Sequence, residues 1–159
     1  MRTNNKTALI TGGGSGLGEA SSLRLAEEGA RVFVTDISQE SAERVAQTIR
    51  DFGGHATALH HDVTQESDWS RVHDAIAAEC QSLDILVNNA GVGLTGPADE
   101  NPYEDIQWLM GINFWGVVHG TRAFLPLLRN SACGHLVNLS SMFGMVGVPT
   151  QSAYNASKF

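Results

Sequence analysis

Short apolar runs alternate with segments of helical periodicity along the whole chain, and this alternation constrains the fold more than any other feature. Repeated strand–helix units of this kind predict a parallel sheet with helices on both faces. The sequence contains no linker, repeat or low-complexity tract, so residues 1–159 are predicted to form a single doubly wound α/β domain. The predicted strands are 6–11, 30–36, 55–63, 83–91 and 134–141, and the predicted helices are 16–29, 38–54, 64–80, roughly 102–129, and one that starts near Gln151.

Composition argues against several classes of function. Hydrophobic residues make up 42% of the chain and charged residues 17%, which is typical of a folded protein with buried strands. Ten basic and seventeen acidic residues give a net charge of −7 without any basic run, so neither nucleic acid nor a membrane is an expected partner. No apolar stretch resembles a membrane span or a signal peptide, and Cys80 and Cys133 lack metal-ligand spacing. These features predict a cytoplasmic protein with two free thiols.

A glycine-rich turn, TGGGSGLG at 11–18, joins the first predicted strand to the first predicted helix. Glycines at such a turn let the backbone approach a pyrophosphate, which the N–H groups of the helix N-terminus then bind. The spacing of Gly12, Gly16 and Gly18 departs from the common G-x-G-x-x-G pattern, so a purely structural turn is the alternative at this point.

Asp36 lies at the carboxyl end of the second predicted strand, eighteen residues after Gly18. An acid at this position can hold the ribose diol of a dinucleotide, although it could also cap the helix that follows at Ser38. A carboxylate repels the 2′-phosphate of NADP, and neither Ile37 nor Ser15 supplies an arginine to receive one. The sequence therefore favours NAD as the cofactor.

Tyr154 and Lys158 are separated by one helical turn in YNASK, so their side chains share a helix face. A tyrosine side chain free in water has a pKa of about 10 and is a poor base at neutral pH, but a nearby ammonium favours the phenolate. The alternative is a solvated helix pair. Because Tyr103 and Lys6 are the only other residues of their types, a chance pairing at this spacing is rare. We interpret the motif as catalytic.

Three further patterns in the sequence concern a metal site, a helix interface and a substrate pocket. His60, His61 and Asp62 do not predict a metal site, because neighbouring strand residues face opposite ways and cannot chelate one ion. The helix at 102–129 is apolar nearly all round, which requires a second covered face, provided either by more of this chain or by another subunit. An apolar segment before Tyr154 either lines a substrate pocket or packs in the core; it comprises Met142, Phe143, Met145, Val146 and Val148.

Taken together, these motifs resemble the short-chain dehydrogenase/reductase family over nearly the whole chain. The resemblance is carried by TGGGSGLG, Asp36, HDV at 61–63, NNAG at 88–91, Asn113, LSS at 139–141 and YNASK at 154–158. It implies a Rossmann-type sheet and an NAD-dependent oxidoreductase that interconverts an alcohol and a ketone or aldehyde. A small-molecule substrate and a homo-oligomer, either a dimer or a tetramer, are implied as well.

The same resemblance implies a role for each matching position. Catalysis is assigned to Asn113, Ser141, Tyr154 and Lys158, and Lys158 also holds the nicotinamide ribose together with Tyr154. Ser141 is preferred to Ser140 because it precedes the tyrosine by thirteen residues, and Asn113 is expected at a distortion of the long helix, where it holds a water that relays protons. The remaining cofactor contacts are assigned to Gly12, Ser15, Gly16, Leu17, Gly18, Asp36, Ile37, Asp62, Val63, Asn89, Ala90 and Gly91.

Members of this family continue beyond the lysine with the rest of the tyrosine helix, a sixth strand, a substrate-covering segment and a seventh strand. We therefore expect strands one to five to be present and the C-terminal substrate-binding part to be absent, as in a truncated record of a longer enzyme. The fifth strand is then expected at an open edge of the sheet. The alternative to an active oxidoreductase is a catalytically incompetent NAD-binding fragment of such an enzyme.

Overall fold

Residues 2–159 are described by a computed structural model, in which five strands alternate with helices in the predicted order. The first half of the chain contains β1 (Thr7–Thr11), α1 (Gly16–Glu27), β2 (Arg31–Asp36), α2 (Gln39–Asp51), β3 (His55–His60) and α3 (Glu66–Glu79). The second half contains β4 (Ile85–Asn88), α4 (Tyr103–Met110), a π-helical turn (Gly111–Trp115), α5 (Gly116–Arg129), β5 (His135–Asn138), a 3₁₀ turn (Met142–Gly144) and α6 (Ser152–Lys158).

The five strands form one parallel sheet in the order β3-β2-β1-β4-β5, which confirms the predicted doubly wound fold. The chain builds outward from β1 in one direction to β3, then returns and continues from β4 in the other direction. The carboxyl ends of β1 and β4 therefore flank the point where the strand order reverses, and ligands of such sheets bind in the crevice at this point.

Each face of the sheet carries its own hydrophobic core, because successive side chains of a strand point to opposite faces. Ala8 and Ile10 of β1 pack with residues of α1 and α2 on one face. Leu9, between them, packs on the other face with residues of α3 and α5, including Trp69 and Phe124. The result is the predicted arrangement of helix, sheet and helix layers.

Several elements begin or end earlier or later than predicted, and side-chain hydrogen bonds to the backbone account for this. The third helix does not open at Thr64, because the Asp62 carboxylate accepts hydrogen bonds from both the Thr64 N–H (2.9 Å) and the Thr64 hydroxyl (2.8 Å). The fourth strand stops at Asn88, because the Asn89 N–H donates to the Thr11 hydroxyl instead of to a neighbouring strand. The helix predicted from roughly residue 102 begins at Tyr103, and Pro102 is its N-cap residue with φ −57° and ψ 144°.

The long helix predicted at 102–129 is observed as α4, the π-helical turn and α5 in direct succession. Its inner face packs on the sheet, whereas Trp108 and Trp115 are about half exposed on its outer side. The expectation that a second subunit or further chain covers this side stays a prediction. Among residues 2–159, no helix is both long and apolar enough to cross a membrane.

β5 forms one edge of the sheet, as expected. All four of its residues are exposed, and no strand lies beyond it among residues 2–159. Leu136 and Val137 are each about 40% exposed there. An open edge with apolar side chains is a template for pairing with another strand.

His61 and its neighbour His60 diverge, as strand alternation predicted. His61 is buried: its Nδ1 lies 3.0 Å from the Thr35 hydroxyl, and its ring meets the Trp69 ring edge to face at 4.1 Å. The Nε2 atom of His61 has no hydrogen-bond partner among the described residues. Burial disfavours the charged ring and lowers the pKa of His61 from 6.5 to about 4.

This lowered pKa makes folding stability depend on pH. Because unfolded His61 binds a proton more readily than the folded form, its contribution is complete above pH 6.5 and is lost as the pH falls toward 4. The loss amounts to roughly 3 kcal/mol at most. The free energy of unfolding, measured with urea between pH 7.5 and 5, should therefore fall as the pH is lowered. This dependence on pH should become weaker in His61→Gln and should remain in the exposed control His60→Gln. An unchanged pH dependence in His61→Gln would contradict the assignment.

Candidate active site

The glycine turn between β1 and α1 requires glycine at three positions. Gly12 and Gly16 adopt φ angles of +61° and +53°, which side chains disfavour. A Cβ atom on Gly18 would overlap the Gly12 carbonyl oxygen, so α1 can approach β1 this closely only with glycine there. In the described part of the chain the Ser15 side chain makes no capping hydrogen bond, and the first N–H groups of α1 therefore remain free to bind an anion.

The end of β4 fixes the glycine turn in place. The Asn89 side-chain amide donates to the carbonyls of Thr11 (2.9 Å) and Gly12 (3.0 Å). In return, the Thr11 hydroxyl accepts the N–H groups of Asn89 and Ala90, both at 3.0 Å. Both amide hydrogens of Asn89 are thus used within the protein, and its assignment as a cofactor contact stays a prediction.

Asp36 closes the opposite side of the turn. Its Oδ2 accepts the Gly14 N–H and its Oδ1 accepts the Ser38 N–H, both at 3.0 Å. The capping role that was the alternative for Asp36 falls instead to Ser38, whose hydroxyl accepts the Ser41 N–H at the start of α2. Asp36 is therefore held by the backbone on both oxygens, with its carboxylate beside the glycine turn.

A cavity of about 240 Å³ opens at the carboxyl edge of the sheet between Asp36 and the end of β4. It brings together predicted cofactor residues from four segments of the chain, namely Gly12, Ser15, Asp36, Ile37, Asp62, Val63, Ala90 and Gly91. His61, Val92 and Ile112 also line it and were not predicted. His61 belongs to the HDV motif but was assigned no cofactor contact, and no local pattern marks Val92 or Ile112.

A second cavity, of about 410 Å³, adjoins the first and shares Ser15, Gly91 and Val92 with it. Tyr154 and Lys158 line this cavity side by side from α6. The predicted residues Gly16, Leu17 and Asn89 line it as well, together with Gly93, Leu139, Ser140 and Gln151. The two cavities form a continuous crevice along the carboxyl edge, with Asp36 at one end and the tyrosine–lysine pair at the other.

Lys158 reaches from α6 back to the sheet. Its Nζ donates to the Leu139 carbonyl at 3.0 Å, just beyond the end of β5. The side chain is half-buried, and this burial lowers the pKa of Lys158. The Ser140 hydroxyl completes the link by donating to the Lys158 carbonyl at 2.8 Å.

Asn113 lies in the π-helical turn, where the distortion of the long helix was expected, and is almost fully buried. Its Oδ1 accepts the Val92 N–H (2.9 Å), and its Nδ2 donates to the Val92 carbonyl (2.9 Å) and to the Ser157 hydroxyl (3.0 Å). A Cβ on Gly91 would lie 3.2 Å from the Asn113 Oδ1 and 3.3 Å from the Lys158 Nζ. Asn113 and Lys158 therefore both lie against Gly91.

Ser140 and Ser141 make different contacts in the structure. Ser140, not Ser141, lines the cavity beside Tyr154. Ser141 caps the 3₁₀ turn by accepting the Phe143 N–H at 3.1 Å, which leaves its own hydroxyl proton free to donate. The catalytic assignment of Ser141 stays a prediction.

The residues that hold α6 in place were not predicted from the sequence. Asn155 is buried, and its amide donates to the carbonyls of Phe143 and Val146, which attaches the apolar segment before Tyr154 to the helix. Ser157 is buried as well and accepts the hydrogen bond from Asn113. The only sign of these contacts in the sequence was the polar character of Asn155 and Ser157, which lie between Tyr154 and Lys158.

Within residues 2–159, no cluster of three potential metal-ligating side chains occurs.

Comparison with known proteins agrees with this architecture. Residues 6–159 match the model of the short chain dehydrogenase family. Similar proteins include a putative oxidoreductase, SadH, from Mycobacterium tuberculosis (38% identity over 97% of this chain and 56% of the relative) and cyclopentanol dehydrogenase from Comamonas testosteroni (41% over 99% and 63%). A solved structure of a short chain dehydrogenase/reductase from Burkholderia phymatum in complex with NAD superposes with a TM-score of 0.95 at 33% identity, covering 99% of this chain and 57% of the other.

The chain spans about 60% of the length of the curated relatives described above. The range that matches the family model, residues 6–159, contains the glycine turn, the residues that line the crevice and the tyrosine–lysine pair. The sheet order and the family match lead to the same assignment. The chain belongs to the short chain dehydrogenase family.

Proposed function

We propose that the full protein containing this chain is an NAD-dependent oxidoreductase that interconverts an alcohol and a ketone or aldehyde. One observation carries the proposal: Tyr154 and Lys158 line the same crevice as the glycine turn and Asp36. The names of two similar proteins support it, since one is called a cyclopentanol dehydrogenase and the other was solved in complex with NAD.

The residues along the crevice fit a dinucleotide. Gly18 lies close to Gly12, so no side chain covers the turn at this point. The free N–H groups at the start of α1 are therefore accessible to a pyrophosphate. Asp36 is held as a hydrogen-bond acceptor at one end and fits the adenosine ribose, with Ile37, Asp62 and Val63 beside it. Lys158 and Tyr154, at the other end, would hold the nicotinamide half.

The chain's own residues supply the proton chemistry. A nicotinamide cofactor in the crevice would supply the hydride chemistry, NAD as the acceptor for oxidation of the carbinol carbon and NADH as the donor for reduction of the carbonyl. Tyr154 takes the hydroxyl proton of the alcohol during oxidation and gives it back during reduction. Lys158, one helical turn away on the same cavity wall, would hold the nicotinamide ribose with its ammonium group.

Two further residues are proposed to assist. The free hydroxyl proton of Ser141 would bond the substrate oxygen and orient the carbinol carbon. Asn113 uses both side-chain amide hydrogens within the protein, so we propose that any water in the proton relay is held by its backbone in the π-helical turn, where the regular helical hydrogen bonding is interrupted.

Replacing Tyr154 with phenylalanine tests the proposed acid–base residue. Loss of the phenolic oxygen should lower kcat at least about 100-fold, the usual contribution of a general acid or base. NAD affinity should change less than about twofold, because the ring remains in place. The exposed Tyr103 gives a matched control, and Tyr103→Phe should keep full activity. Turnover retained in Tyr154→Phe would remove this residue as the acid or base.

The cofactor preference rests on Asp36 and can be measured separately. The carboxylate should accept the ribose diol of NAD and repel the 2′-phosphate of NADP, so NAD should bind at least about tenfold more tightly. Asp36→Arg should reverse this order, because a guanidinium attracts the phosphate. Fluorescence titration with NADH and NADPH gives both affinities. Equal affinities in the unmutated protein would refute the role given to Asp36.

The alternative is that residues 1–159 taken by themselves bind NAD without turnover. Two observations favour it for this segment: α6 has seven residues, and β5 has an open apolar edge. Such a short helix has little stability of its own, so Tyr154 and Lys158 would not be held precisely.

Expression of residues 1–159 alone tests this alternative. We expect binding of NADH with negligible reduction of NAD across a panel of alcohols, and self-association at the β5 edge in sedimentation. A monomeric, cooperatively unfolding segment with robust dehydrogenase activity would contradict the expectation.

A further inference from the structure

Gly14, in the middle of the glycine turn, is held through both of the peptide groups that flank its Cα. Its N–H donates to the Asp36 Oδ2 at 3.0 Å, and its carbonyl accepts a hydrogen bond from the Arg44 Nη2 at 2.8 Å. Arg44 comes from the middle of α2. The same guanidinium binds the Glu19 carboxylate through its two terminal nitrogens, Nη1 and Nη2, at 2.7 and 2.8 Å. Glu19, Arg44, Gly14 and Asp36 thus form one continuous chain of hydrogen bonds.

This chain of bonds leaves the turn little freedom to move. A Cβ on Gly14 would lie 2.7 Å from the Ser41 Cβ, so the turn rests directly against α2. Asp36 is restrained on its other oxygen by the Ser38 N–H. The backbone conformation at Gly14, which links the peptide group that donates to Asp36 with the one that Arg44 binds, therefore decides whether Asp36 keeps a backbone partner on its inner side.

The charges of Arg44 and Glu19 also affect the proposed phosphate site. Glu19 stands in the first turn of α1, where its negative charge would oppose a bound pyrophosphate. The hydrogen bond from Arg44 lowers the pKa of Glu19, and the same bond raises the pKa of Arg44. Both groups stay ionised and balance each other beside the proposed phosphate site.

We infer that Arg44, oriented by Glu19, is a positioning residue of the cofactor site: by binding the Gly14 carbonyl it fixes the backbone of Gly14, keeps the Gly14 N–H directed at Asp36 and so arranges the acid for the adenosine ribose. The inference rests on the proposed binding of NAD. It assigns Arg44 no contact with the cofactor. A planar guanidinium can serve a carboxylate and a carbonyl together, whereas the single ammonium of lysine cannot reproduce this fork.

The test compares ligands that contain the adenosine half with one that lacks it. In Arg44→Gln, the dissociation constants of NADH and of ADP-ribose should rise by the same factor, about tenfold for a lost charged hydrogen bond. The dissociation constant of reduced nicotinamide mononucleotide should stay unchanged. Arg44→Lys should recover only part of the loss, and Glu19→Gln should weaken the same two ligands.

Arg24 provides the matched control. It forms ion pairs with Glu27 and Glu28 farther along α1, so Arg24→Gln removes a comparable surface cation without touching the turn. This variant should bind all three ligands as the unmutated protein does. Adding Glu19→Gln to Arg44→Gln should cause no further loss, because both residues act through the same peptide.

The outcomes separate this inference from the proposed function. Failure of the unmutated full protein to bind NADH would refute the proposed function. Binding by the unmutated protein together with equal affinities in Arg44→Gln and Arg24→Gln would overturn the inference alone. A matching loss for reduced nicotinamide mononucleotide would also overturn it, since the effect would then not be confined to the adenosine end. If Arg44→Gln does not fold, as judged by circular dichroism, Arg44→Lys and Glu19→Gln decide the question by the same comparison.

Discussion

The approach of α1 to the end of β1 is the contact on which the rest of the site depends. Only a hydrogen atom fits between the Gly18 Cα and the Gly12 carbonyl, and Asn89 then covers that carbonyl from the side. With the two elements this close, the free N–H groups of α1 face the crevice at the reversal of strand order. A larger residue at position 18 would move the helix away and separate the two halves of the site.

Beyond the last paired residues of the strands, side-chain hydrogen bonds take over the role of the sheet ladder. The Thr11 hydroxyl accepts two backbone N–H groups from the end of β4, and the Asn88 side-chain amide donates across to the Asn138 Oδ1 of β5 at 2.9 Å. Asn113 then joins the segment after β4 to α6 through Val92 and Ser157. The tyrosine–lysine pair is thus positioned by a series of polar contacts that begins at the glycine turn.

Sequence patterns predicted the order of the elements, the parallel sheet and the motifs that meet at its carboxyl edge, because strand and helix periodicities and glycine spacing are local. They did not predict the ends of the elements, where Asp62 competes with the first turn of α3. They also missed partners that are distant in sequence, such as Arg44 for Gly14 and Asn155 for the segment before Tyr154. These contacts depend on the packing of α2 and α6 against the turn and the sheet, which no local pattern encodes.

The central proposal is that one crevice, from Asp36 to Lys158, binds a single NAD molecule beside Tyr154. A crystal structure of the full protein with NAD tests this most directly. The account predicts the adenosine ribose hydroxyls within hydrogen-bond distance of Asp36, the pyrophosphate at the first turn of α1, and the nicotinamide half next to Tyr154 and Lys158. A dinucleotide bound elsewhere, or bound with its adenosine end at the tyrosine, would contradict it.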